Sequence, residues 1–118
     1  MKIEGEAKLL RIFVGSSDKV GHQPLYEYIV FEAKRFGLAG ASVIRGVMGF
    51  GANSVVHSAK ILEMSEDLPI IVEIIDQSDK IDQFIVSIEK HFEDHKYGVL
   101  ITTEKAHVIR YSSSKTHK

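Results

Sequence analysis

The sequence predicts an α+β domain in which a single antiparallel sheet carries two helices on one face. Three observations lead to this class: short apolar segments rich in β-branched residues, two segments with helical periodicity, and an order that alternates them. The length of 118 residues is that of one domain, expected to span 1–118 with residues 112–118 as a frayed tail.

The first half of the chain predicts a strand, a loop and a helix. Residues 7–14 (AKLLRIFV) predict the first strand, and residues 15–24 (GSSDKVGHQP) predict a loop. Pro24 stands where a first helical turn accepts proline, and Gly37 suits a left-handed cap at the end of the helix. Apolar residues three and four apart form the predicted buried face: Leu25, Tyr28, Ile29, Ala33 and Phe36.

The second half predicts three strands, a helix and a closing segment. Residues 41–48, 54–64 and 70–75 predict the second to fourth strands. Ser78 is the predicted N-cap of the second helix, and residues 98–111 (GVLITTEKAHVIRY) predict one bent strand or two short ones. The buried face of the second helix is expected to comprise Ile81, Phe84, Ile85, Ile88 and Phe92.

Apart from one extra strand piece, this order is the βαββαβ arrangement of a ferredoxin-like sandwich. Right-handed crossovers place both helices on the same face of the sheet. The other face is also apolar, because Leu9 and Phe13, together with Ile71 and Ile75, alternate with the core positions. Soluble monomers rarely expose such a face, so the sequence predicts self-association through it.

Composition excludes several classes of function. The chain has no cysteine, which excludes disulfides, thiolate metal sites and cysteine nucleophiles. With 15 basic and 16 acidic residues it has no net basic character, so we expect no nucleic-acid partner. The apolar runs are shorter than a membrane span, and we expect a cytoplasmic protein without membrane insertion.

The segment 46–57 (GVMGFGANSVVH) is rich in glycine and lies between predicted strands. It matches neither a Walker sequence nor a dinucleotide-binding fingerprint. Its glycines indicate either a bulge with a close backbone approach or exposed amides that cradle an anion. Arg45 and Arg110 lie within apolar segments, where each needs an ion-pair partner, the commoner solution, or an anionic ligand.

Histidines and acids are weaker candidates. His91 and His95 stand four apart and could share a metal, although cations near a helix C-terminus are favoured in any case. His57 and His107 lie on strand-like segments without a visible partner. The carboxylates near the second helix start, Asp76, Asp79 and Asp82, are interpreted as solvated capping charges.

Two motifs resemble PII signalling proteins. The stretch 38–51 (LAGASVIRGVMGFG) resembles the segment from the first PII helix to the base of the long T-loop, and 106–110 (AHVIR) resembles a stretch near the PII C-terminus. With MSEDLP at 64–69, the chain looks closer still to an uncharacterised PII-like subfamily, over roughly residues 7–111.

The resemblance implies a homotrimer that binds nucleotides between subunits. Segment 49–57 then resembles a shortened T-loop. Asn53 stands where PII proteins carry a glutamine that helps to hold a metal–effector complex, and Arg110 stands where they carry an arginine that contacts phosphate. His107 stands where PII proteins have another arginine. The residues implied at the effector site are Gly49, Phe50, Gly51, Ala52, Asn53 and Arg110, with Arg45, His57 and His107 as further candidates.

The chain departs from PII at the phosphate-binding B-loop, which is reduced to DHKYG at 94–98 and followed by Val99 in place of lysine. Ser112 replaces a second arginine, and the short loop lacks the modified tyrosine. The leading hypothesis is a non-enzymatic trimeric regulator of an unidentified target, such as a transporter or enzyme. Its ligand would be a small anion, with an adenine nucleotide as one candidate.

Two other hypotheses remain open from the sequence. One is a divalent-metal protein of the copper-tolerance type, which shares the trimeric ferredoxin-like architecture. Its ligands would be His57, His91, His95 and His107. The other is a small enzyme that uses His57 or His22 as a base in a cleft between subunits.

Overall fold

The computed structural model describes residues 6–50 and 67–114, and the backbone of residues 57–58. The elements in chain order are β1 (Ala7–Gly15), β2 (Lys19–Val20), β3 (Gln23–Pro24), α1 (Leu25–Phe36), β4 (Ser42–Arg45), β5 (Met48–Gly49), β6 (His57–Ser58), β7 (Pro69–Gln77), α2 (Ser78–Asp94) and β8 (Leu100–Ala106).

Four strands form the main sheet in the order β4-β7-β1-β8, and all three neighbouring pairs are antiparallel. Strands β1 and β7, the first and third of the four in sequence, therefore occupy the centre, and the strand that follows each helix lies at an edge. This is the ferredoxin-like arrangement, and the predicted fold class is confirmed. No helix in the described ranges is long and apolar enough to cross a membrane.

The core lies between the sheet and the two helices. In β1 and β7 alternate residues are buried, as the period of two requires. They pack against apolar residues that recur on the inner faces of the helices. The residues that form this layer are Leu10, Ile12, Val14, Ile70, Val72, Ile74, Leu25, Ile29, Ala33, Ile81, Phe84 and Ile88.

Helix α1 ends at Gly37, as predicted, whereas Pro24 holds the N-cap position and not a place in the first helical turn. Gly37 has φ 91°, a left-handed conformation that glycine adopts without strain, and its amide donates to the Lys34 carbonyl at 3.1 Å. The next residue, Leu38, returns to the core and donates to Ala33 O at 3.1 Å. This termination directs the chain toward the edge strand β4.

The predicted cap at the second helix is wrong by one residue. Gln77 holds the N-cap position, without a side-chain cap, and Ser78 is already the first helical residue. The cause is that β7 runs directly into α2, and the Ser78 amide donates to Glu6 O at 3.0 Å. Of the predicted face, Ile81, Phe84 and Ile88 are buried, whereas Ile85 and Phe92 are partly buried against the core.

One predicted strand boundary and one predicted loop are corrected by the structure. The second strand ends at Arg45, and the Gly46 amide donates to Pro69 O at 2.7 Å, where β7 begins. The predicted loop 15–24 contains the small β2–β3 hairpin. Of the predicted third strand, the described part is β6, which pairs with β5, and the rest lies outside the described residues.

The last strand is shorter than predicted. Among the described strands β8 pairs with β1 alone, and the register ends with Ala7 opposite Ala106, so β8 ends where its partner begins. His107 and Arg110 therefore do not lie on a strand. Residues 107–111, called here the C-terminal strap, continue without regular secondary structure.

Candidate functional site

The C-terminal strap lies over the face of the sheet that the helices leave open. Val108, Arg110 and Tyr111 contribute one wall of a cleft of about 390 Å³. The floor is formed by Leu9, Glu73 and Ile75 of the two central strands, and the rim by residues 39–42. The strap is fastened at the rim, since the Tyr111 hydroxyl donates to Ala39 O at 2.9 Å.

The rim is positioned by a buried carboxylate. Asp76 is 1% exposed, and its Oδ2 accepts the Ala39 amide at 2.9 Å. Its Oδ1 accepts the Gln77 amide at 2.6 Å. The interpretation of Asp76 as a solvated capping charge is therefore wrong, because a buried carboxylate requires such donors. Asp76 joins the start of α2 to the segment that precedes β4.

The open face is not wholly apolar, contrary to expectation. Arg11 lies at its centre and donates to Glu73 Oε2 at 2.8 Å and to Glu104 Oε2 at 3.0 Å. These two carboxylates raise the pKa of Arg11, chiefly through the hydrogen bond to Glu73. Register explains the cluster, because Arg11 lies opposite Glu73 in β7 and Thr102 in β8. Glu73, which lines the cleft, is thus already paired with Arg11.

Arg110 is a cation on one wall of the cleft. It is exposed, and in the described part of the chain its one polar contact is from Nε to Ser112 Oγ, at 3.4 Å. No carboxylate of the described residues lies within ion-pair distance of Arg110 or Arg45. The commoner solution for a cation in an apolar segment, a structural ion pair, is therefore not found for either arginine within that part of the chain.

The base of the glycine-rich segment packs on Pro69. A Cβ at Gly46 would lie 2.7 Å from Pro69 Cγ, and one at Gly49 would lie 3.1 Å from it. Gly49 also pairs with His57 in the β5–β6 ladder. Both glycines are thus explained by close approach of the chain to a proline ring. Phe50, which follows, is 69% exposed.

The structure brings only part of the predicted site together. Arg110 lines the cleft, whereas Gly49, Phe50 and Arg45 lie at the other end of β4, beside Pro69 and Ile70. His107 lies in the strap and is exposed. Gly51, Ala52 and Asn53 lie outside the described residues, as does the side chain of His57.

His91 and His95 stack rather than converge. Their ring centroids are 4.3 Å apart with an interplanar angle of 27°, and His95 Nδ1 lies 3.0 Å from His91 O. Tyr28 and Tyr97 extend this cluster, and burial lowers the pKa of His91. Two parallel rings at this distance do not direct their lone pairs at one ion. In the residues the structure describes, no three metal-ligating side chains come together, so the copper-tolerance hypothesis is not favoured.

Sequence reasoning missed Ala39, Tyr111 and the role of Asp76. Asp76 carried a signal, since it directly follows the apolar run 70–75 and continues its alternation on the buried side. Tyr111 and Ala39 carried none, because their contact joins residues 72 positions apart.

Comparison with known proteins supports the fold and identifies relatives. Residues 7–108 match the model of DUF190, a family described as "Uncharacterized ACR, COG1993". A UPF0166 protein of Aquifex aeolicus is 37% identical over 102 residues, covering 86% of this chain and 92% of that protein. A UPF0166 protein of Methanocaldococcus jannaschii is 30% identical over 105 residues, covering 89% and 94%.

Two solved structures share the architecture. CPII of Thiomonas intermedia K12, a nitrogen regulatory PII-like protein bound to ADP, AMP and bicarbonate, superposes with TM-score 0.59 at 16% identity, covering 86% of this chain and 89% of CPII. A PII-like signalling protein of Thermus thermophilus superposes with TM-score 0.62 at 20% identity, covering 86% and 87%. At these identities the likeness concerns the fold.

Proposed function

Since the chain belongs to the DUF190 family and has the fold of PII-like proteins, we propose that it is a non-enzymatic regulator that binds a small anionic effector. Arg110 is the binding residue at the cleft under the strap, and an adenine nucleotide is the first ligand to test. The observation that carries this proposal is a guanidinium at an open cleft with no carboxylate partner in the described chain.

The lining suits an anion that also has an apolar part. Leu9 and Ile75 supply an apolar floor, Val108 supplies an apolar wall, and Tyr111 supplies an aromatic ring. The backbone amides of Gly40 and Ala41 have no hydrogen-bond partner within the described residues and lie on the exposed rim. Exposed amides and an arginine together favour phosphate or carboxylate groups. CPII, which shares the fold, binds ADP and AMP, and this supports the choice of probe.

The geometry of one chain favours an assembly of several copies. Within one chain the loop base and Arg110 lie at opposite ends of β4, so a site that uses both requires a second chain. The open face also presents exposed apolar side chains, among them Ile44, Ile75 and Leu100. We propose a homotrimer in which Gly49, Phe50, Gly51, Ala52 and Asn53 of one chain complete the site at Arg110 of the next.

The loop 49–57 would report the bound ligand to a target protein, such as a transporter or an enzyme. Within a single chain Phe50 is 69% exposed, so its large apolar side chain is available either to the effector site of the next chain or to the target protein. Arg45, His57 and His107 are further candidates for contact with the effector.

Calorimetric titration of the purified protein with AMP, ADP and ATP tests the proposal. Hydrogen bonds from arginine to phosphate contribute roughly 1.5–3 kcal/mol, so Arg110→Ala is expected to weaken binding about ten- to a hundredfold. Arg110→Lys should recover part of the loss, because lysine keeps the charge but not the planar fork.

Arg35→Ala is the matched control, since it also removes one arginine charge. Arg35 lies on α1 and pairs there with Glu32 at 2.6 Å, so binding should not change. Equal affinity of wild type and Arg110→Ala would show that the arginine does not hold the ligand. Absence of binding to all three nucleotides would refute the nucleotide assignment.

A further inference from the structure

Ala39 is held from both sides at the rim of the cleft. Its amide donates to the buried Asp76 carboxylate, and its carbonyl accepts from the Tyr111 hydroxyl, each at 2.9 Å. A single backbone residue thus connects the core to the strap.

At the core end of this connection, the Asp76 carboxylate is held in place by several donors. Asp76 accepts two backbone amides, and Lys80 Nζ lies 3.9 Å from its Oδ2 while donating to Gly37 O at 3.1 Å. A buried charge keeps such donors, because losing one leaves part of the charge unpaired in a low-dielectric environment. Ala39 is therefore a rigid support for whatever binds its carbonyl.

At the strap end of this connection, fewer hydrogen bonds hold the chain in place. Between Ala106, where the ladder with β1 ends, and Tyr111, no backbone hydrogen bond of the strap occurs within the described structure. Val108 is half-buried, whereas Ile109 is 84% exposed. The Tyr111 hydroxyl is thus the polar fastening of the strap at the end away from β8, and Arg110 is its immediate neighbour.

We infer that Tyr111 is a positioning residue whose hydroxyl closes the strap over the cleft and thereby sets the position of Arg110 for the ligand. The closure is a property of the free protein, and its consequence for ligand binding rests on the function proposed above. A fastening of one hydrogen bond opens often enough to admit a small molecule and still favours the closed arrangement.

Tryptic cleavage after Arg110, followed by mass spectrometry, tests closure without any ligand. Cleavage by dilute protease follows the population of the open form. Tyr111→Phe keeps the ring and removes the hydrogen bond, whose net contribution corresponds to about a two- to tenfold change in that population. Cleavage at Arg110 should accelerate by this factor, and affinity for ADP should fall by a similar one.

Tyr97→Phe is the matched control for cleavage. Its hydroxyl also donates to a distant backbone carbonyl, Lys19 O at 2.7 Å, but it does not line the cleft. This variant should leave cleavage after Arg110 unchanged.

The outcomes separate the two proposals. Unchanged cleavage in Tyr111→Phe would overturn the inference even if wild type binds ADP. Faster cleavage with unchanged ADP affinity would show that closure of the strap does not position Arg110, and would also overturn it. If wild type binds no nucleotide, the ligand assignment fails while the cleavage rates still decide whether the Tyr111 hydroxyl closes the strap.

Discussion

Replacement of Gly46 by alanine tests the explanation of the glycines at the loop base. The added Cβ would lie 2.7 Å from Pro69 Cγ and 3.4 Å from Pro69 O, whereas real Cβ atoms essentially never approach a heavy atom within 3.0 Å. The proline side chain has no free rotation, so its Cγ can move only by a change of ring pucker, and the Gly46 amide is tied to the same residue at 2.7 Å. Either the pucker of Pro69 or the backbone around β4 and β7 must therefore change.

The expected magnitude follows from two opposing terms. Overpacking at a well-packed position costs about 1–3 kcal/mol, and replacing glycine by alanine returns about 0.4–1 kcal/mol through the unfolded chain. Gly46→Ala should therefore lower the free energy of unfolding by roughly 1–2 kcal/mol. Urea denaturation at fixed protomer concentration measures this, because the stability of an oligomer depends on concentration.

Gly40→Ala is the control, since a Cβ there has no heavy atom within 4 Å and stability should be unchanged or slightly raised. A double variant locates the cause. In a Pro69→Ala background the Cγ is absent, so Gly46→Ala should lose most of its effect. The reasoning is refuted if Gly46→Ala is as stable as Gly40→Ala, or if its loss is the same in both backgrounds.

The remaining predictions concern pH and assembly. Burial, followed by the charge of His95, lowers the folded pKa of His91 below its ordinary 6.5, with Tyr28, Glu32, Asp94 and Tyr97 around the ring. The unfolded chain then binds the proton more readily, so stability should fall as pH drops below about 6.5. Urea unfolding measured at about pH 7.5 and about pH 5, on either side of that value, should show that the free energy of unfolding falls less in His91→Gln than in wild type. An equal fall in both proteins would contradict this. Light scattering coupled to gel filtration should show that the wild-type protein is a trimer. Ile44→Asp, which places a charge on the open face of the sheet, should dissociate the trimer, whereas Val86→Asp on the helix side should leave it intact. A monomeric wild type would refute the proposed assembly.

The sequence by itself determined the fold class, because periodicity and alternation are local properties. The alternation in β1 and β7, the glycine end of α1 and most of the buried face of each helix could be predicted from the spacing of apolar residues. Two residues predicted on the buried face of α1 are exceptions, since Phe36 is 37% exposed and Tyr28 is only partly buried. Boundaries were less predictable where a distant partner sets them. Strand β8 ends at Ala106 because β1 begins at Ala7, and no feature of residues 98–111 contains that information.

The site was decided by tertiary structure. Arg110 could be selected from its type and its resemblance to PII, but its environment depends on a strap that crosses the sheet to Ala39. Asp76 is of a residue type common at helix N-caps, but it becomes buried because β7 leads into α2 without a loop. Such contacts join residues 37 and 72 positions apart, and only the folded chain brings their donors and acceptors within hydrogen-bond distance.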